Sequence, residues 1–195
     1  MKKTEKILAV IAFTSIILSM NHVPFGGVIS VLSFTILALL YMYLSFALFN
    51  KIPFTRILKK EAYLNISKLR IFGTVLTGMV LSLSLIGMLF KLQLYPMADI
   101  NLLTGILGLL IAAIVSIIKY SIGKDKFYVD ILKRIILIGV FGLLFTITPK
   151  KSILEIRHRK HPEYVEAVKK AWADPDNQAL WKKVEEESLK IYKEK

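Results

Sequence analysis

The sequence predicts an all-α integral membrane protein: five transmembrane helices, or four, in two repeated hairpins, followed by a short amphipathic two-helix C-terminal tail. Three observations predict it. Apolar residues fill 55% of the 195 positions and the mean hydropathy is +0.57, beyond the ~45–50% apolar content of an average soluble domain. Charge gathers at the ends of apolar runs and in the last 46 residues, which leaves uncharged stretches near the ~20 residues that a helix needs to cross a bilayer. A short pattern around Pro24 also returns around Pro96, at an offset of 72 residues.

The segments follow in order. After MKKTEK, the run 7–20 has the charged start and apolar middle of a signal peptide, but no small-residue cleavage pattern follows, so it reads as a retained first span. Segment 28–49 carries no charge over 22 residues and is the clearest span; 71–90 and 100–118 are the third and fourth. Segment 135–148 is short at 14 residues. It reads as a fifth span if Ile131 and Leu132 extend it while Lys133 and Arg134 snorkel; the alternative is an interfacial or re-entrant segment. Between the second and third spans, 50–70 mixes Phe54, Ile57, Leu58, Ile66 and Leu69 with six cations, the pattern of a short basic helix on the membrane surface or of a solvated loop. The tail differs in composition. Pro162 suits a first helical turn, Val165, Val168 and Trp172 recur at helical spacing, and 174–177 breaks the chain. Asp176 or Asn177 then caps a helix bearing Leu180, Trp181, Val184 and Ile191. The expected divisions are 1–70, the first hairpin with its basic loop; 71–149, the second hairpin with the fifth span; and 150–195, the charged tail.

The net charge of +13 raises the question of nucleic acid, and its placement answers it. Residues 1–151 hold 17 Lys and Arg against 5 acids, whereas 152–195 hold 10 against 9. The excess therefore lies in the loops between spans, where anionic headgroups and the orientation rule account for it. No nucleic-acid partner is expected. Fourteen cations fall in the N-terminal flank and alternate loops, and only Lys91 in the other two hairpins, which places the N-terminus in the cytoplasm. Five spans send the tail outward, in tension with Lys150, Lys151, Arg157, Arg159 and Lys160; four keep it cytoplasmic.

No catalytic, cofactor-binding or metal-binding residue is expected. There is no cysteine, P-loop, dinucleotide fingerprint or G-x-S-x-G turn. Glu155 and His158 have an E-x-x-H spacing, but Arg157, Arg159 and Lys160 repel a cation there and the basic stretch reads as solvated or headgroup-facing. Serines within the spans are expected to bond their own helix carbonyls. Small residues let helix backbones approach: Thr74, Gly78 and Ser82 in the third span and Thr104, Gly108, Ala112 and Ser116 in the fourth are the packing candidates, for the hairpin around Pro96 and for oligomerisation.

The repeat aligns LSMNHVPFGGVISVL, 18–32, with FKLQLYPMADINLLT, 90–104, setting Pro24 over Pro96, Gly26 over Ala98 and Val28 over Ile100. Its signature residues are His22, Pro24, Phe90, Lys91, Tyr95, Pro96 and Asp99. Lys91 is expected to snorkel outward and Asp99 to pair with it across the turn. At these residues the chain resembles the GldL family, inner-membrane components of the gliding and type 9 secretion motor of Bacteroidetes, through Gly87, Leu89, Phe90, Lys91, Pro96, Ala98, Leu102 and Gly105. Tyr95 stands where the family has Trp, Asp99 where it has Asn, and Leu94 where it has His; His22 keeps that His in the first copy. The resemblance implies a shared hairpin. It does not imply motor chemistry, since the family's membrane-embedded Glu is matched by Leu109, and by Leu37 in the first copy. The expectation is a non-enzymatic scaffold or assembly component whose partners are the bilayer and a second copy or an envelope protein; the alternative is a small transporter or channel subunit.

Overall fold

A computed structural model describes residues 1–21 and 23–193. Eight α-helices account for most of them: α1 Lys2–Met20, α2 Gly26–Phe49, α3 Lys68–Leu92, α4 Ala98–Gly123, α5 Lys126–Ile147, α6 Lys150–Arg157, α7 Pro162–Ala173 and α8 Gln178–Lys193. No strand occurs among the described residues. The chain forms two compact units, Met1–Ile147 and Thr148–Lys195.

In the first unit five antiparallel helices pack in chain order, each on the next, and α5 returns to α3. Phe34, Leu37, Leu81, Leu85, Met88, Leu102 and Ile138 form its core. The most apolar stretch of α3 is 61% buried against 22% for α4, so α3 is the central post while α4 turns a broad apolar face outward. Three helices, α2, α3 and α4, are long and apolar enough to cross a membrane, and a fourth crossing results if α5 and the helix after it count as one broken span. The segment 7–20 lies within α1, which is not among these helices. That helix begins at Lys2 and carries Lys2, Lys3, Glu5 and Lys6 in its first turns, and Glu5 is buried.

The two short turns have the same backbone. Phe25, the residue before α2, and Met97, the residue before α4, lie in the left-handed region at φ 62° and 57°. Val23 N donates to Leu18 O as Tyr95 N does to Phe90 O, and Asn21 N to Ile17 O as Gln93 N does to Leu89 O. All these pairs are 72 residues apart. In each, Pro ends the approach, because its ring restricts the preceding residue and removes a donor, and a small buried residue follows, Gly26 or Ala98. Gly26 is required: a Cβ there would lie 2.7 Å from the backbone carbon of Leu18.

The link between α2 and α3 contains only two 3-10 turns, Phe54–Arg56 and Lys60–Tyr63, not the surface α-helix that its mixed composition allowed. Pro53 and the clustered β-branched and charged residues leave no unbroken apolar face for four turns. Ser67 then caps α3, its Oγ accepting from Arg70 N.

In the second unit Pro162 opens α7 and Asn177 caps α8, its Oδ1 accepting from Ala179 N at 3.2 Å. Val165 and Val168 are buried, and Trp181 Nε1 donates to Pro175 O. The basic stretch around Glu155 and His158, read as solvated or headgroup-facing, begins in the helix α6, where Ile153 and Leu154 are buried. Pro149 precedes the helix and its two buried apolar residues are adjacent, too short a pattern to be recognised from the sequence.

Candidate functional site

The polar residues of the helical bundle form two clamps, one at each end. At the end where α1, α3 and α5 begin, Glu5 is 5% exposed. Its Oε1 accepts from Tyr41 Oη at 2.8 Å and from Arg134 Nε at 2.5 Å, and its Oε2 accepts from Arg134 Nη2 at 2.7 Å. Arg134 Nη1 also donates to Asp130 O, and the guanidinium lies 5.0 Å from the Phe49 ring centroid. The fork geometry suits a carboxylate held by two donors, which offsets the cost of removing both charges from water. Lys2 pairs with Asp130 at 3.3 Å. Beside this clamp, Arg70 joins the end of α2 to the α4–α5 turn. Its Nε donates to Asn50 Oδ1, its Nη1 to Asp125 Oδ2, both at 2.9 Å, and it stacks on Phe127 at 3.6 Å.

At the opposite end Lys91 is 2% exposed, so the expectation that it snorkels outward is corrected. Its Nζ lies 2.8 Å from Asp99 Oδ1 and donates to Thr146 O at 3.2 Å. The side chain turns inward because the carboxylate across the turn and the last turn of α5 supply partners there. The expected pairing of Lys91 with Asp99 is present. Pro24 and Pro96 are exposed at the tips, Phe90 is half-buried, and Tyr95 packs edge-on to it at 5.5 Å between centroids. His22 lies outside the described residues.

The small residues act inside one chain. Gly78 faces α2, where a Cβ would strike Ser45 and the carbonyl of Tyr41, rather than α4 as expected of its stripe. Thr74 and Ser82 are buried with it. The α3–α4 seam is made instead by Gly87 against Leu102, by Gly105 against Ser84, and by Gly108, whose added Cβ would lie 2.5 Å from Val80 Cγ1. Ala112 is half-buried, Ser116 is buried with its Oγ donating to Ala112 O, and Thr104 is exposed. Most buried hydroxyls do bond their own helix, such as Ser33 to Ile29 O and Ser84 to Val80 O. Ser30 also reaches across to Ser15 O of α1.

Alongside the seam, α3, α4 and the start of α5 enclose an apolar groove of about 950 Å³. Among the described residues no group of three or more His, Asp or Glu is placed to hold a metal ion, and Glu155 pairs with Lys169. On α7 the Lys170 ammonium, hydrogen-bonded to Glu166, holds that carboxyl below its ordinary value, while burial pushes the Tyr164 phenol up.

Sequence reasoning missed Glu5, Tyr41 and Arg134 as partners. The one local signal is the lone acid inside a run of lysines at the N-terminus; nothing in the sequence joins it to a residue 129 positions away. The fold and these clamps define an all-helical chain with three helices, four at most, able to cross a membrane. Comparison with protein-family models, curated proteins and solved structures finds no match to any of them.

Proposed function

We propose that the chain is a non-catalytic, multi-pass protein of a bacterial inner membrane, acting as a scaffold or assembly component of an envelope complex. The observation that carries this reading is the distribution of residues between the two ends of the bundle. The tips around Pro24 and Pro96 expose Phe25, Tyr95 and Met97 and carry no exposed Lys or Arg among the described residues, while the other end gathers the cations of the loops. In water those side chains gain nothing from exposure; at a bilayer interface they anchor, and the cation-rich end faces the cytoplasm. All five helices of the bundle run between these ends. α5 supports a fifth span: its 22 residues extend about 33 Å, from the Arg70 side to the carbonyl that Lys91 holds.

The matched turns at an offset of 72 residues favour a duplicated hairpin of the GldL-like kind, with Leu109 and Leu37 where an acid would serve proton transfer. The chain then builds a framework and recruits a second copy or an envelope protein. Thr104 is the exposed member of the small-residue stripes, so Thr104→Leu tests the contact between copies without an internal clash. Light scattering of the detergent-solubilised protein is expected to show an oligomer that this change weakens, and a monomer indifferent to it removes the oligomeric scaffold. The buried ion pairs favour one other reading, a small transporter or channel subunit. Each is a closed pair at its own end of the bundle, and ion or solute flux in proteoliposomes would reverse the ranking.

A further inference from the structure

The groove between α3, α4 and α5 has a direction. Its walls are apolar, with Gly73, Leu76 and Val80 of α3 facing Gly108, Ile111 and Val115 of α4. One end is lined by Arg70 and Lys119, beside the Phe127 ring; at the other Gly108 meets Val80. From Lys119 to Gly108 the α4 wall is 11 residues long, about 16 Å at the helical rise. One leaflet of a bilayer contributes about 15 Å of hydrocarbon, half the ~30 Å core. The groove therefore spans the depth of a single leaflet on the cation-rich side.

The charge at its mouth is net positive. Lys68, Arg70, Lys119, Lys124 and Lys126 stand at the adjoining helix ends with one acid, Asp125. Arg70 is held by Asn50, Asp125 and the Phe127 ring, a fixed guanidinium, whereas Lys119 is an exposed side chain on the last turns of α4. A volume of about 950 Å³ lies within the range that encloses one small ligand. Water alone is a poor occupant of such a groove because its walls offer few hydrogen-bond partners.

We propose that this groove binds one anionic phospholipid from the cytoplasmic leaflet, an acyl chain lying between α3 and α4 and the phosphate at Lys119 and Arg70. The inference rests on the membrane-embedded reading above and goes further by naming a ligand and its site. Basic pockets between membrane helices on the cytoplasmic side are suited to such headgroups, and each surface cation contributes about fivefold in affinity for an anionic lipid. Gly73 offers a direct block. A Cβ added there meets nothing within 4 Å, so a side chain at this position starts into open space on the groove wall.

The test is native mass spectrometry of the full chain in detergent, incubated with phosphatidylglycerol or with phosphatidylcholine of the same acyl composition. One phosphatidylglycerol per chain is expected, at least about tenfold preferred over phosphatidylcholine. Gly73→Leu is expected to abolish its retention, and Lys119→Gln to weaken it about fivefold while leaving phosphatidylcholine unchanged. Equal retention of the two lipids overturns the proposal, as does undiminished phosphatidylglycerol on Gly73→Leu. If that variant instead converts a dimer to a monomer with lipid retention unchanged, the groove holds a second copy and the lipid assignment falls. Alkaline extraction of membranes reads embedding separately: release of the protein refutes the membrane reading, while firm retention without lipid preference refutes only the site.

Discussion

Glu5 and Arg134 bury opposite charges in the same place, and their value to the fold is asymmetric. Removing both charges from water costs nearly what their attraction returns, so the intact pair adds little net stability, but removing one partner strands the other. Arg134→Met is expected to lower stability by about 3–5 kcal/mol, and the pair Glu5→Met with Arg134→Met to recover most of it. Thermal unfolding in detergent, followed by circular dichroism, reads both. A single variant as stable as the parent would show that water reaches Glu5. Lys91 and Asp99 make a sharper contrast, because Lys91 is 2% exposed and the Asp99 side chain 55%. Asp99→Ala leaves a buried ammonium with a carbonyl, whereas Lys91→Met leaves a carboxylate that water solvates. The first is expected to lower the melting temperature clearly more than the second, and the double change to restore it. The Lys91–Asp99 pair was legible because the two residues flank one turn; the Glu5–Arg134 pair was not, because no local rule links the first turn of one helix to the third turn of another.

Between elements, the decisive residues are glycines that admit a neighbouring backbone. Gly78 and Gly73 lie five positions apart on α3 and look alike in the sequence. At Gly78 a side chain collides with Ser45 and Tyr41 of α2, while at Gly73 it enters open space. Gly78→Ala is therefore expected to cost about 1–3 kcal/mol through overpacking, and Gly73→Ala to be neutral or to stabilise α3 by about 0.5–1 kcal/mol through its backbone entropy. Comparison of the two melting temperatures checks the assignment of each face. Four-residue spacing picks out small stripes but cannot name what they touch. Thr74, Gly78 and Ser82 were assigned to α4, yet Gly78 meets α2, since the central position of α3 gives it neighbours on several sides. Likewise no helix was expected over 150–157, because eight residues with three apolar positions, Ile153, Leu154 and Ile156, are too few to show a period.

At the scale of the whole molecule, topology is the open quantity that the bundle constrains. If α1 through α5 each cross the bilayer, as proposed above, the C-terminal unit lies on the side opposite the N-terminus. A periplasmic alkaline phosphatase fused after Lys195 is expected to be active, and an inactive fusion with an active cytoplasmic reporter at the same point restores the four-span arrangement. By itself the sequence determined the helical class, the positions of α2, α3 and α4, and the two tail helices α7 and α8. Those are set by apolar run length, helical period, proline placement and capping, which act over a few turns. Only the tertiary structure decided which way Lys91 turns, which helix Gly78 meets, that Glu5 holds Arg134, and that an apolar groove lies beside α3. Each depends on what distant segments bring alongside, and the free energy of burying a charge or admitting a backbone is fixed by that neighbour rather than by the residue alone.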